Sequence, residues 1–125
     1  MSAGSAILDT MISCGCEFRT IVMGTAASMA AVIASSGTKG KRYIGSNSGM
    51  MIHQALGGFS GQTADILRTA QHIEKINNRL YGILASNTGL SIEKIAVDCD
   101  RDYHLNADEA IDYGLADHIF KGFEE

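Results

Sequence analysis

Three residue types needed for acyl transfer by serine are present in this chain: a hydroxyl in Ser28, an imidazole in His53, and a carboxylate among Asp98, Asp100 and Asp102. The hydroxyl attacks a carbonyl, the imidazole takes its proton, and the carboxylate fixes the imidazole's tautomer. Ser28 lies in Gly24-Thr-Ala-Ala-Ser28-Met-Ala, where a predicted strand ends and a predicted helix begins. Backbone N–H groups at a helix start can stabilise negative charge, and the small neighbours leave room for a peptide. The same position also suits an ordinary helix N-cap. His53 ends the run Met50-Met-Ile-His53, just before a glycine-rich loop, Gly57-Gly58-Phe-Ser-Gly61. Rigid scaffolds present reactive groups at such strand ends, although a structural or exposed histidine fits there as well. The alternation of Asp98, Asp100 and Asp102 puts them on one side of an extended segment. It does not choose which of them meets an imidazole. A solvated acidic face, or a weak cation site lacking the glycine and distal Glu of a calcium loop, fits the same pattern.

Other chemistry is less well supplied. Ser36-Gly-Thr-Lys39 and Ser91-Ile-Glu-Lys94 satisfy the Ser-x-x-Lys spacing of other acyl enzymes. The first sits in a glycine-rich turn, and the second reads as a helix cap with an exposed lysine. Gly57, Gly58 and Gly61 are not followed by the Gly-Lys-Ser/Thr of a phosphate loop. Cys99 reads as a small packed residue rather than a nucleophile. Cys14-Gly-Cys16 has the wrong spacing for a zinc knuckle, and no further Cys or His pair follows, so no metal is expected. Three cysteines without a framework suggest reduced thiols in a cytoplasm-like compartment.

Composition narrows the partners. The net charge of −4 contains no like-charge run, and Lys39, Lys41 and Arg42 read as a solvated turn rather than a phosphate-binding patch, so nucleic acid is not expected. No uninterrupted apolar run reaches the length of a membrane span, and no secretory signal pattern opens the chain. Charged residues make up 19% of the sequence, below the usual quarter or so, which points to surface buried against other subunits.

The elements that would position these groups can be read from apolar spacing and glycine punctuation, because the chain has no proline. Ile7, Leu8, Met11 and Ile12 predict an amphipathic helix ending near Gly15. Arg19–Met23 reads as a buried strand bounded by Gly24, and Ser28–Ser36 as an Ala-rich helix closed by Gly37. Lys41–Ile44 and Met50–His53 are two more short strands around the turn 45–49. A long helix runs from about Gln62 to Ser86 on a stripe of Ile66, Ala70, Ile73, Ile76, Leu80 and Leu84, and ends at Asn87-Thr-Gly89. Ser91 caps a short helix through Val97. Asn106 and Glu109 form a capping box for a helix over Ala107–Tyr113, which Gly114 stops, and Leu115–Phe120 returns as a strand. Strands alternating with helices over 125 residues predict one layered α/β domain.

Several of these stretches together carry a family resemblance. Gly24-Thr-Ala-Ala-Ser28-Met, Gly37-Thr-Lys-Gly-Lys-Arg-Tyr43 and Met51-Ile-His53-Gln resemble successive signatures of the Clp protease proteolytic-subunit family of serine peptidases. Gly57-Gly58, Gly61-Gln62, Asp65-Ile66, Asp100-Arg101-Asp102, Ala107-Asp-Glu-Ala110 and Tyr113-Gly-Leu115 match residue types of that family in the same order. The similarity runs from Ser2 to about Phe120, and the Ser-to-His and His-to-Asp separations also resemble the family's. The resemblance implies a layered domain of the Clp protease and crotonase-like kind with a long handle helix. It implies Ser28 as nucleophile, His53 as general base, Asp102 as the carboxylate orienting His53, and the Met29 N–H as an oxyanion donor. Gln62, Asp65 and Arg101 match positions that join two stacked rings of a homo-oligomer. It further implies an ATP-dependent endopeptidase that cuts unfolded proteins to short peptides inside a closed chamber. An AAA+ unfoldase ATPase would feed that chamber, and this chain would need no cofactor of its own.

The chain departs from the family pattern in two places. Ala55 stands where the family has proline after His-Gln, which is expected to loosen the segment behind His53. The family's initial segment, with early strands, axial loops and a Gly-Gly turn supplying the second oxyanion N–H, has no counterpart before Ser2, so the chain is expected to be N-terminally truncated. Loss of one oxyanion donor costs on the order of 100- to 1000-fold in turnover, and missing strands would leave a sheet edge open. A non-catalytic ring subunit that assembles without cleaving is therefore an alternative. A crotonase-like acyl-CoA enzyme is a second, for which the sequence offers no CoA pocket.

Overall fold

The computed structural model describes residues 2–55 and 62–123; the glycine-rich loop expected over Gly57–Gly61 lies outside the described residues. Among the described residues five helices and six strands follow one another. They are α1 (Ser2–Ser13), β1 (Thr20–Val22), β2 (Thr25–Ala27), α2 (Met29–Ser35), β3 (Arg42–Gly45), β4 (Gly49–Ile52), α3 (Thr63–Thr88), α4 (Ile92–Asp98), β5 (Tyr103–Asn106), α5 (Ala107–Tyr113) and β6 (His118–Phe120).

The strands divide into two three-stranded sheets. The first is parallel throughout, in the order β1-β3-β6. In the second, β2 runs parallel to β4 and β4 antiparallel to β5. The strand expected over Arg19–Met23 is β1, and β2, which the sequence reading did not foresee, follows just after Gly24. Gly24, at φ 89, breaks the chain between them, a conformation that glycine adopts without a Cβ penalty. β2 is Ala-rich and has little strand propensity of its own; its partner β4 makes it a strand. β1 and β2 are edge strands among the described residues, and an open groove of about 380 Å³ runs along them, lined by Ile21, Met23, Thr25 and Ile33.

α2 packs on β1, β2 and β4, and its inward residues Ala31 and Val32 meet a core that includes Val22, Ile44, Met50, Ile52, Leu84, Ile95 and Leu115. Each large apolar side chain buried this way contributes roughly 1.5–3 kcal/mol. Helix ends follow the sequence closely. Ser91 Oγ accepts the Lys94 N–H, Asn106 and Glu109 close a reciprocal capping box, and Gly89 and Gly114 end α3 and α5 in the left-handed region. A Cβ on Gly114 would lie 2.7 Å from the Thr88 carbonyl oxygen, so the α3 and α5 C-termini meet at a point where only glycine fits.

Arg42 departs furthest from its sequence reading. It is not part of a solvated turn but is 4% exposed. Its guanidinium pairs bidentately with Asp117, Nη2 to Oδ1 at 2.7 Å and Nε to Oδ2 at 2.9 Å. Nη1 donates to the carbonyls of Ser35, Asn87 and Gly114 at 3.1, 3.0 and 2.9 Å. Those carbonyls belong to the C-terminal ends of α2, α3 and α5. One cation therefore satisfies three helix ends whose acceptors have no intrahelical partner and whose dipoles favour positive charge. The two neighbouring lysines do stay near solvent, Lys39 exposed and Lys41 paired with Glu17.

α3 is built in two halves. Its buried residues are Asn77, Tyr81 and Leu84, all in the second half. Along 63–76 Ile66, Ile73 and Ile76 are only half-buried, Ala70 is exposed, and Leu67 is 58% exposed. The expected apolar stripe is thus only partly covered by the rest of the described chain.

Candidate active site

β2 and β4 bring Ser28 and His53 together. Their parallel register pairs Ala27 with Met51, and the Ser28 N–H extends it by donating to the Met51 carbonyl at 2.9 Å. Ser28 leaves β2 as His53 leaves β4, and both line one small cavity of about 20 Å³ with Val32, Ile52, Ala55, Leu80, Tyr81 and Leu84. That volume holds about one water molecule.

Ser28 is the one non-glycine residue at positive φ among the described residues, with φ 61 and ψ −122. It precedes the first residue of α2, yet its side chain makes no capping hydrogen bond. The N-cap reading therefore fails. A serine held there costs of order 1–3 kcal/mol without the return a cap would give. The N–H groups of Ala31 and Val32 turn back to the Ser28 carbonyl at 3.1 and 3.3 Å. Among the described residues no partner is found for the Met29 N–H, the first donor of α2.

The acidic residues do not form an extended segment. Asp98 closes α4, Asp100 sits in the turn that follows, and the strand β5 begins only at Tyr103. Asp98 Oδ2 accepts from Tyr113 Oη at 2.7 Å and pairs with Lys94 at 3.1 Å, so it is committed to the packing of α4 on α5. Asp102 is exposed and precedes β5. The antiparallel β4–β5 register pairs Ile52 with Tyr103; one step further, the same register sets His53 opposite Asp102. No hydrogen bond joins them among the described residues, and His53 Nδ1 is buried without a partner.

Directly behind His53, Gln54 and Ala55 are tied by hydrogen bonds, while the loop beyond Ala55 lies outside the described residues. The Gln54 N–H donates to the Cys99 carbonyl at 2.8 Å and Gln54 Nε2 to the Asp100 carbonyl at 3.0 Å. The Ala55 N–H donates to Asn77 Oδ1 on α3. Sequence reading had no signal for Asn77, since a polar residue on a long helix usually faces solvent.

Two further buried groups are Tyr81, in the cavity wall, and Cys99, which does not line it. Burial, with the nearby Cys99 and Asp100 adding, pushes the Tyr81 phenol up, keeping it neutral. Cys99 is fully buried, and burial followed by the Asp98 charge raises its thiol to about 11. It packs as an apolar residue and is no nucleophile. Gln62, Asp65 and Arg101 are exposed and do not line this cavity, the first two lying at the start of α3.

Residues 1–122 match the family described as Clp protease. The ATP-dependent Clp protease proteolytic subunit of Ligilactobacillus salivarius (strain UCC118) is 50% identical over 121 residues, covering 97% of this chain and 61% of that protein. The subunit of the same description from Streptococcus salivarius is 50% identical over 121 residues, 95% of this chain and 62% of the relative. That from Streptococcus pyogenes serotype M1 is 48% identical over 126 residues, 99% and 64%. The chain thus spans about three-fifths of the length of the curated relatives it matches.

Proposed function

The chain belongs to the Clp protease family, and from that premise we propose that it is a serine endopeptidase subunit using Ser28, His53 and Asp102. The observation that carries this reading is Ser28 itself: strained at φ 61, uncapped, and opening on the same cavity as His53. Strain without a capping return suits a hydroxyl presented for reaction. Ser28 Oγ attacks the scissile carbonyl carbon as His53 takes its proton, and the Met29 N–H donates to the developing oxyanion. Collapse of the tetrahedral intermediate breaks the C–N bond, with His53 returning the proton to the leaving amine. Water then attacks the acyl-serine, and the same imidazole acts as base. Asp102 orients His53 through Nδ1, the nitrogen that is buried and without a partner among the described residues. The β4–β5 register supports that pairing.

The half-covered start of α3, with Gln62 and Asp65 on it and exposed Arg101, serves as a contact between stacked rings of a homo-oligomer. Substrates are unfolded chains delivered by a Clp-type AAA+ ATPase in the cytoplasm. ATP is spent by that partner, and this chain takes no cofactor. Among the described residues no helix is long and apolar enough to cross a membrane.

A second reading, a ring subunit that assembles without cleaving, is favoured by the missing hydrogen bond at His53 Nδ1. Labelling with a fluorophosphonate, read by intact mass after the assembly is sized, separates the two. Stoichiometric label that disappears in Ser28→Ala is expected. A folded oligomer that takes no label would sink the peptidase reading and leave the non-catalytic one.

A further inference from the structure

Three polar or charged side chains are buried among the described residues: Ser35, Arg42 and Asn77. The first two belong to the junction of helix ends around Arg42. Asn77 serves nothing on its own helix. Its Oδ1 instead accepts the N–H of Ala55, across from α3 to the segment that follows β4.

That segment carries His53. On one side His53 is preceded by Ile52, held in the β4–β5 ladder. On the other, Gln54 is tied by its N–H and its amide to Cys99 and Asp100, and Ala55 is tied to Asn77. The ring of His53 has no such restraint at Nδ1. Its aim is therefore set by the backbone on either side and by the walls of the cavity. Ala55 and Tyr81 are among those walls, and Tyr81 lies one helical turn beyond Asn77, on the same face of α3. A single stretch of α3 thus supplies both the packing beside His53 and the acceptor that fixes the chain just after it.

We propose that Asn77 is a positioning residue for His53: by accepting the Ala55 N–H it holds the imidazole in reach of Ser28. This rests on the roles given to Ser28 and His53 above. The chemistry required at position 77 is an oxygen acceptor of about this size. Asn77→Asp retains one, Asn77→Leu keeps the branched shape at somewhat larger volume without it, and Ala55→Pro removes the donor from the other side.

Two readouts on the chain test this: the rate and pH profile of fluorophosphonate labelling at Ser28, and the imidazole NMR signals of His53, assigned with His53→Gln. Asn77→Leu is expected to slow labelling roughly 10- to 100-fold, the scale of a small misplacement of a reacting group. It should also broaden or shift the His53 signals, with Asn77→Asp restoring most of the rate. In the Ala55→Pro background Asn77→Leu should have no further effect. Unchanged His53 signals and rate in Asn77→Leu overturn the inference, as does an equal loss in both backgrounds. If the unaltered chain takes no label, the peptidase reading fails by itself, and the His53 signals alone decide whether Asn77 positions the ring. Should Asn77→Leu not fold, Asn77→Ala removes the same acceptor and is judged by the same two readouts.

Discussion

Replacing Asp117 by asparagine removes the charge that faces Arg42 while keeping the side chain's shape. Hydrogen bonds from the Arg42 side chain hold the Asp117 carboxyl at about 2 against an ordinary 3.8; burial opposes them, and the N–H groups of Gly40 and Arg42 add to them. At about 1.4 kcal/mol per tenfold, that difference corresponds to about 2 kcal/mol of folding stability. The sign follows from the direction: a depressed acid stabilises the fold fully above pH 4 and loses that contribution as pH falls from 4 towards 2. The variant also leaves the guanidinium facing a neutral amide. Breaking one side of a buried pair costs about 3–5 kcal/mol, and the three carbonyls that Arg42 keeps, at 2.9 to 3.1 Å, put this case at the low end. Urea unfolding followed by circular dichroism should therefore show Asp117→Asn less stable by about 3 kcal/mol at pH 7. The gap should shrink by about 1.5 kcal/mol by pH 2.5, because the parent's carboxyl is then protonated in the unfolded chain but still largely ionised in the folded one. A gap below about 0.5 kcal/mol at pH 7, the size of an ordinary surface substitution, would refute the reasoning. So would one that stays constant down to pH 2.5.

Two other outcomes follow from local geometry. Ser28→Gly should raise stability by about 1 kcal/mol, net of glycine's extra chain entropy, because glycine accepts φ 61 and ψ −122. Ser28→Ala keeps the Cβ and gains nothing, and equal denaturation midpoints for the two variants would show that the turn stores no strain. Iodoacetamide at pH 8 should add to exposed Cys14 and Cys16 on the folded chain and reach buried Cys99 only after unfolding. A third adduct on the folded chain, read by mass, contradicts that burial.

Local signals in the sequence carried the helices well. The capping box of Asn106 and Glu109, the Ser91 cap and the stops at Gly89 and Gly114 all depend on residues within a few positions of each other, and all are found where expected. β2 and β5 escaped because neighbours define them. Thr25–Ala27 has little strand propensity beyond Thr25, and Tyr103–Asn106 buries only Leu105, so neither displays a face. Arg42 escaped for a related reason: its partners Ser35, Asn87, and Gly114 with Asp117 come from three separate stretches, and a basic residue beside two lysines looks solvated. In the candidate site, strand ends alone left Ser28 and His53 open to ordinary structural readings; the family resemblance paired them, and the β2–β4 pairing brings them together. Spacing left three aspartates open and the family resemblance singled out Asp102; the β4–β5 register, which spacing does not encode, sets that residue opposite His53.

α3 is a single covalent rod of 26 residues, about 39 Å long, with two different sources of stability. Its second half is held by burial and unfolds only with the core. Its first half, along 63–76, has no buried residue, and an isolated helix of that length is marginal in water. The first half therefore borrows its helicity by propagation from the second. Amide exchange should grade along the rod, slow near Leu84 and fast near Thr63, with the boundary close to Asn77. A partner that covers the outer half would convert a borrowed helix into a paid one, and the ordering it must supply sets how tightly such a contact can close.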